Sequence, residues 1–519
     1  MKPLGLATGT LWCLLITVST AHAGQAHGKT KEQADTPPNI VFLLTDDQDV
    51  KLNSMHVQPK LKKYMLDEGM FFENAFVTHP VCCPSRSSTL TGKYTHNHHT
   101  YENNVGRGCN APSWRESNEA KTMGAYMSKA GYNTGFFGKY LNNYAHPTTG
   151  VNVTHIPQGW DTWFGLVGNS RFYDYSVSNN GVLEKHGTDY EKDYFTDVIK
   201  RNAVSFIKNA TTEDASKPFF MYIATPAPHR PATPAPQYAN MFSNETAPRS
   251  PSYGFKPDDK HWIISGGTPQ MDNTTIKTVD ELCLDRWRTL QSVDDLLEEV
   301  VMTLQTGGVL DNTYIFYNSD HGYHLGQFNQ QGEKRQPYDE DIRVPLIVRG
   351  PGVVKGQKTP RIALNIDLAP TFIELAGGEV PDDMDGRSLR PVLENALCAD
   401  WRDDFLVEYW GEGTPCMGTI HATPPEQVFL HDCHNNTFVN LRTLSESDDS
   451  SYILVFPTDD APMDISAVNY REYYDLTEDT WQMKNTFKQL TPAKHSAYQA
   501  RLEQYMKCSG QTTCNLKPI

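Results

Sequence analysis

An α/β fold is the architecture this sequence predicts: a mixed, mostly parallel sheet flanked by helices, with a smaller antiparallel sheet after it. Three observations lead there. Apolar runs of strand length recur between segments of helical pattern. The strongest runs are continuous rather than alternating, as strands buried on both faces are. After about residue 398 the helical spacers give way to strands close together in sequence.

Taken in order, Asn39 to Thr45 (NIVFLLT) reads as a central strand that delivers Asp46 and Asp47 at its C-terminal end. Pro59 to Glu68 reads as a helix with Leu61, Tyr64 and Met65 on its apolar side. A further helix starts at Pro84, a residue suited to the first turn, and runs to about Thr91. Met123 to Lys129 is a helix ended by Gly131, and Asn133 to Phe137 a strand reaching Lys139. Phe219 to Thr225 is another buried strand. The proline-rich run from Thr225 to Pro236, which carries His229, is a loop over the sheet edge. Leu282 to Leu304 is a long helix, and Tyr314 to Ser319 a strand ending in Asp320-His321-Gly322. Val344 to Val348 is a strand and Asp367 to Ala376 a helix. Strands alternating with helices imply the mostly parallel sheet. Phe405 to Tyr409, Phe438 to Leu444, Tyr452 to Phe456 and Glu472 to Leu476 then build the small antiparallel sheet, followed by a helix from Pro492 to Met506.

The N-terminus reads as a secretory leader. Lys2 precedes the apolar run Leu11 to Val18, and Ala21-His22-Ala23 fits a small-x-small cleavage site. The run is too short to span a bilayer, and no later segment is long and apolar enough to do so. The expected organisation is a signal peptide at 1–23, a polar lead-in at 24–38, an α/β domain at 39–398 and an α+β subdomain at 399–519. Five glycosylation sequons, at Asn152, Asn209, Asn244, Asn273 and Asn435, agree with a secretory route to a lysosomal or extracellular address.

An oxidising compartment permits disulfides. Of the ten cysteines, Cys13 lies in the leader. Cys416 with Cys433 and Cys508 with Cys514 are the local pairs expected, and Cys83 is expected to stay free and buried; spacing alone does not fix the pairing. The chain carries 62 Asp and Glu against 46 Lys and Arg. That balance argues against a nucleic-acid partner, yet it leaves room for a basic pocket and an anionic substrate.

The most informative stretch is Val81 to Tyr94, VCCPSRSSTLTGKY. It holds a Cys-x-Pro-Ser-Arg core followed by Leu-Thr-Gly. Arg86 lies four residues after Cys82, which on a helix puts both on one face, and a helix N-terminus favours an anion. Asp46-Asp47 and Asp320-His321 both follow strands, at the sheet edge where open α/β folds place ligands. Consecutive residues can converge on one ion only if the strand has ended and the chain is turning. Three carboxylates suit a hard cation such as calcium, whereas an imidazole favours softer metals.

These stretches, with FFGKYLNNY (136–144), IATPAPH (223–229), TLQSVDDL (289–296), TYIFYNSDHGYHLGQF (313–328), EKRQPYDEDIRVPLIVRGPG (333–352) and NIDLAPT (365–371), resemble the sulfatase family, and within it the glucosamine-6-sulfatase branch. The resemblance implies an alkaline-phosphatase-like fold and a hydrolase of sulfate esters, with the 6-sulfate of N-acetylglucosamine in a glycosaminoglycan as the expected substrate. It also implies that a formylglycine-generating enzyme converts Cys82 to formylglycine. Asp46, Asp47, Asp320, His321 and the modified Cys82 would hold one calcium ion. Cys82 would be the nucleophile, Arg86, Lys139 and Lys334 would bind sulfate, and His229 or Lys334 would protonate the departing alcohol. A homodimer is left open.

Two positions depart from the family pattern. Leu141 stands where many members have a histidine, which leaves the base for the elimination step unassigned. His321 stands where the glucosamine-6-sulfatase branch usually has asparagine. A broad arylsulfatase, a phosphomonoester or phosphonate hydrolase of the same superfamily, and a glycan-binding protein without catalysis are the alternative functions.

Overall fold

The computed structural model describes residues 37–517, apart from 148–151, 214, 267, 399, 413–418, 422–427, 431–434 and 458–462. The expected leader, most of the lead-in, and Cys416 and Cys433 lie outside the described residues.

The first apolar run forms β1 (Asn39–Thr45) as the sequence predicts, and its side chains divide between two cores. Ile40, Phe42 and Leu44 enter one cluster, and Val41 and Leu43 the other. That split is the two-residue period of a strand covered on both faces. The remaining strands are β2 (Met70–Phe76), β3 (Asn133–Gly138), β4 (Thr162–Leu166), β5 (Tyr175–Asn179), β6 (Val182–His186), β7 (Phe219–Ala224), β8 (Thr313–Ser319), β9 (Leu346–Arg349) and β10 (Gln357–Leu364). Together they form a ten-stranded sheet in the order β10-β2-β9-β8-β1-β7-β3-β4-β5-β6. The centre, β8-β1-β7-β3-β4, is parallel throughout. Its C-terminal ends therefore share one edge, where Asp46, Lys139, Thr225 and Asp320 emerge.

Helices cover both faces. Phe195–Thr212 and the C-terminal half of the long Asn273–Thr306 bury their apolar stripes in one cluster, and Val279, Leu282 and Trp287 of the latter enter a third, smaller one. Met123–Lys129 and Leu368–Leu375 pack into the other. That second cluster continues into a four-stranded antiparallel sheet of β11 (Asp404–Tyr409), β14 (Phe438–Leu444), β15 (Asp449–Val455) and β16 (Tyr470–Asp475), against which Pro492–Met506 lies. A two-stranded ladder joins β12 (Thr419–His421) to β13 (Val428–Leu430). Among the described residues no helix is long and apolar enough to cross a membrane.

Several details depart from expectation. The helix expected from Pro84 starts two residues earlier, spanning Cys82–Thr91, so Cys82 is its first residue. The expected Pro59–Glu68 helix is a single α turn followed by a wider-wound Lys62–Leu66 segment. Cys83, expected to stay free, is bridged to Cys109. The connection that follows the Cys82–Thr91 helix folds back over its start and brings that partner from 26 positions away, too far for a local rule to find. Cys508 and Cys514 are bridged as expected. Asn152, Asn209, Asn244 and Asn273 are exposed and Asn435 is half-buried.

Candidate functional site

The site grows from the parallel strand ends. β1 stops at Thr45, and Asp47 takes a left-handed conformation, φ 70°. That turn lets consecutive carboxylates converge, since a continuing strand would throw them to opposite faces. On the neighbouring strand Asp320 accepts from the Asp47 backbone N–H at 2.9 Å, which joins the two strand ends. Gly322 follows His321 because a Cβ there would strike the backbone oxygen of Glu340. Gly138, φ 117°, plays the same part before Lys139, with no room for a side chain against Ala224.

Cys82 opens its helix beneath this edge and is 1% exposed. Its Sγ is 3.3 Å from His321 Nε2. The ligand-type atoms of Asp46, Cys82, Asp320 and His321 lie within 4.8 Å of one another, and so do those of Asp46, Asp47, Cys82 and His229. Arg86, one helical turn below, donates from Nε to Asp320 at 2.9 Å and from Nη1 to the Lys139 carbonyl at 2.8 Å. Its Nη2 is 3.6 Å from Asp46 Oδ1. Lys139 Nζ donates to Asp46 Oδ2 at 2.7 Å, and Lys334 Nζ reaches both oxygens of Asp47 at 3.1 Å. The structure thus brings all nine residues singled out in the sequence into one buried cluster; only His229 is part-exposed.

The electrostatics show what the cluster wants. Burial would push Asp46 up, but Lys139, His229 and Arg86 outweigh it and hold the carboxyl well below its usual range. Asp47 is lowered likewise, against burial, chiefly by Lys334, His229 and His321. Burial dominates at Asp320 and pushes it up to about 6. Burial opposes charge on His321, yet Asp320, Cys82 and Asp47 push it up to about 9. The Cys82 thiol is driven well below its ordinary value, despite burial, by Lys139, Lys334 and His321. A pocket with three carboxylates competes for positive charge, while its Cys82 corner, between two lysines, favours an anion.

A hard divalent cation fits the donors present. Asp46 Oδ1 is buried and accepts no hydrogen bond, a cost that a ligated ion would remove. His321 Nδ1 lies 2.8 Å from the Gly322 carbonyl, so its proton is committed there and Nε2 is turned toward the carboxylates, 3.2 Å from Asp47 Oδ1. Carboxylates from Asp46, Asp47 and Asp320 outnumber the single imidazole, a donor set that suits a hard cation better than a softer one.

Some participants carry no local sequence signal. Ser170 Oγ donates to Asp46 Oδ2 from the connection between β4 and β5. Asn103 Oδ1 accepts from the Cys83 backbone N–H at 2.9 Å and so caps the start of the helix. Asn365 Nδ2 reaches the Ser85 carbonyl at 3.2 Å. Ser170 and Asn103 sit in irregular chain, and Asn365 opens a short helical turn far from its partner, where no periodicity points to any of them. The Asn365 motif NIDLAPT was visible in the sequence, but its role was not.

Comparisons with known proteins agree with this geometry. The sulfatase family profile matches residues 38–378. Over 484 residues the chain is 42% identical to the N-acetylglucosamine-6-sulfatase of Capra hircus, covering 92% of this chain and 84% of the relative. The N-acetylglucosamine-6-sulfatase of Homo sapiens is also 42% identical over 484 residues, with 92% and 85% covered. A solved structure of a protein in complex with its substrate D-glucosamine-2-N,6-O-disulfate matches with a TM-score of 0.71 at 25% identity, covering 91% of this chain and 97% of that one. With a strand-edge cluster built around Cys82 and this likeness along nearly its whole length, the chain belongs to the sulfatase family and is a sulfuric ester hydrolase.

Proposed function

We propose that this protein removes the 6-sulfate of N-acetylglucosamine, or of a closely related glucosamine, from sulfated glycans. The observation that carries the chemistry is the placement of Cys82 between Lys139, Lys334 and the Asp46, Asp47, Asp320, His321 cluster. The sugar preference rests on the relatives named N-acetylglucosamine-6-sulfatase and on the neighbour bound to a 6-O-sulfated glucosamine.

Cys82 Sγ stands in for the oxygens of a formylglycine hydrate. That derivative supplies two hydroxyls on one carbon, one to attack sulfur and one whose deprotonation later expels sulfate. Asp46, Asp47, Asp320 and His321 would hold a calcium ion, which supplies charge neutralisation at the sulfate oxygens. Arg86 favours the ionised forms of Asp320 and Asp46 and aims their carboxylates. Lys139 and Lys334 add fixed positive charge where the sulfuryl group gathers negative charge, in a site where water cannot weaken it. His229, clustered with Asp46, Asp47 and Cys82, is the acid for the departing alcohol, with Lys334 as the second candidate.

Burial of Cys82 bears on its maturation. Cys82 is 1% exposed on a helix that is buried along its length. That burial supports conversion by a formylglycine-generating enzyme before the chain folds. The test is a panel of 6-sulfated N-acetylglucosamine, other sulfated glycan fragments, an aryl sulfate and matched phosphate esters. Preference for the 6-sulfate supports the reading; equal or faster turnover of phosphate esters would sink it. Mass spectrometry of the Cys82 peptide should show the aldehyde in active protein.

A further inference from the structure

Arg286 lies in the middle of the long helix Asn273–Thr306, outside every motif that marks the site, and its side chain is only 2% exposed. A guanidinium withdrawn from water needs acceptors for its fork of donors; the ones it has come from two separate strand ends, and a ring face from a third covers it. Nη2 donates to the Asp47 carbonyl at 2.7 Å and to Asp49 Oδ1 at 3.1 Å, both in the connection after β1. Nη1 donates to the Pro228 carbonyl at 3.3 Å, in the connection after β7 and next to His229. The guanidinium carbon lies 4.0 Å from the centre of the Tyr323 ring, two residues past His321 after β8.

We propose that Arg286 is a positioning residue for the cation site. It holds the connections that carry Asp47, His229 and His321 in one mutual arrangement. The argument turns on Asp47. This residue is in the left-handed region, φ 70°, which a non-glycine residue adopts only at some cost. Arg286 binds the carbonyl of this residue, while its carboxylate meets Lys334 Nζ and lies 3.2 Å from His321 Nε2. Holding the backbone here restricts where the carboxylate can sit. Asp49 completes the clasp: its other carboxylate oxygen accepts from the Ser54 backbone N–H at 3.3 Å, and its carbonyl accepts from Ser54 Oγ at 2.7 Å. Stacking on Tyr323 ties the same clasp to the strand end that carries Asp320 and His321. Lysine, with one compact ammonium, cannot serve the two carbonyls, the carboxylate and the ring face together.

This inference rests on the reading that Asp46, Asp47, Asp320 and His321 hold a divalent ion. It is tested on mature full-length enzyme stripped with a chelator. Calcium is titrated by calorimetry into the parent protein, Arg286→Lys and Arg286→Gln, and thermal unfolding is followed without the ion. Calcium affinity is expected to fall about 10- to 100-fold in both variants, the range seen when partners behind metal ligands are removed, with kcat recovering in part at high calcium. A merely structural arginine would lower the melting temperature and leave the calcium affinity of the folded fraction unchanged, and that result overturns the proposal. Should Arg286→Gln fail to fold, Arg286→Lys, which keeps the buried charge, decides alone. A parent protein that binds no divalent ion would overturn the cation reading and this inference together, whereas parental binding retained by the variants overturns only the latter.

Discussion

The molecule buries charge in two contrasting ways. In the C-terminal region Arg501 meets Asp404 in a two-pronged pair, with both N–H···O distances 2.8 Å, and Tyr505 adds a third donor at 2.7 Å. Arg402 grips Asp367 the same way, at 2.6 and 2.9 Å. Neither pair leaves a buried side-chain polar atom without a partner. At the sheet edge the opposite holds: Asp46 Oδ1 and Arg86 Nη2 are buried and accept or donate no hydrogen bond, and three carboxylates crowd together. Completed networks fix a structure. An incomplete one is a cost that a folded protein carries where a ligand completes it. The contrast marks the sheet edge, where unpartnered polar atoms sit among converging carboxylates and cations.

The largest effect is expected on the functional side. Cys82→Ser should form a sulfated serine and then stop, because serine has no second hydroxyl to expel sulfate. Multiple turnover should fall at least about 10³-fold, the scale on which losing a nucleophile costs an enzyme. Intact-mass analysis should show one sulfate per chain, while the melting temperature barely moves. Full turnover by this variant would break the proposed elimination. The structural side should behave in reverse. Arg501→Met leaves Asp404 buried and uncompensated, at an expected cost of about 3–5 kcal/mol in denaturant unfolding with kcat unchanged. Adding Asp404→Leu should recover much of that loss, since an apolar pair of similar volume is often no worse than a buried ion pair.

The same division explains what was legible in the sequence. Asn39–Thr45 is apolar at every position but its ends, so the strand, its depth and the exit of Asp46 could all be read. The Cys82 stretch and the Asp320-His321-Gly322 turn were legible because chemistry dictates residue types there. Register with distant chain was not. β2 (MFFENAF) breaks its apolar run with Glu73-Asn74, and β10 carries Pro360 at an edge with an irregular register between Thr359 and Ile362, where proline is tolerated. The β5–β6 hairpin does have a signal: Asn180-Gly181, both with positive φ, is the favoured two-residue turn. Arg286 had none. A buried arginine and a solvated one look alike on a helix until the partner strands are placed.

Two disulfides among the described residues sharpen the comparison next, because one closes a loop beside the site and the other staples the terminus. Cys83–Cys109 spans 26 positions and Cys508–Cys514 spans 6. Loop-closure entropy puts the first at about 3.5 kcal/mol and the second at about 2.4 kcal/mol. Replacing each pair by alanines and measuring unfolding should reproduce that order. Only the first should also lower kcat, since it anchors the chain that carries Asn103 to the start of the Cys82 helix. Equal losses of kcat from both would show that the bridge beside Cys82 has no special part in placing it.

The smallest effect is a pH dependence of stability centred on His96. Its Nδ1 lies 2.8 Å from Glu408 Oε1 and its Nε2 lies 3.0 Å from the Cys508 carbonyl, so both ring nitrogens face acceptors and the charged ring satisfies both. Burial opposes that charge, but Glu408 outweighs it and His96 is pushed up to about 9. Glu408 is held below its ordinary value, against burial, by the same ring. The raised histidine contributes stability that is complete below its unfolded value near 6.5 and is lost as pH rises through about 9. The depressed carboxylate contributes above its ordinary value and loses that contribution as pH falls through its lowered one. The pair is therefore intact in mildly acidic to neutral solution and fades on the alkaline side. The side chain is 15% exposed, and screening limits the expected loss to on the order of 1 kcal/mol. His96→Gln should flatten the fall in melting temperature between about pH 6.5 and 9. A variant whose melting curve still falls as steeply as the parent's over that range would assign the pH dependence to His321 at the sheet edge, pushed up to about 9, instead.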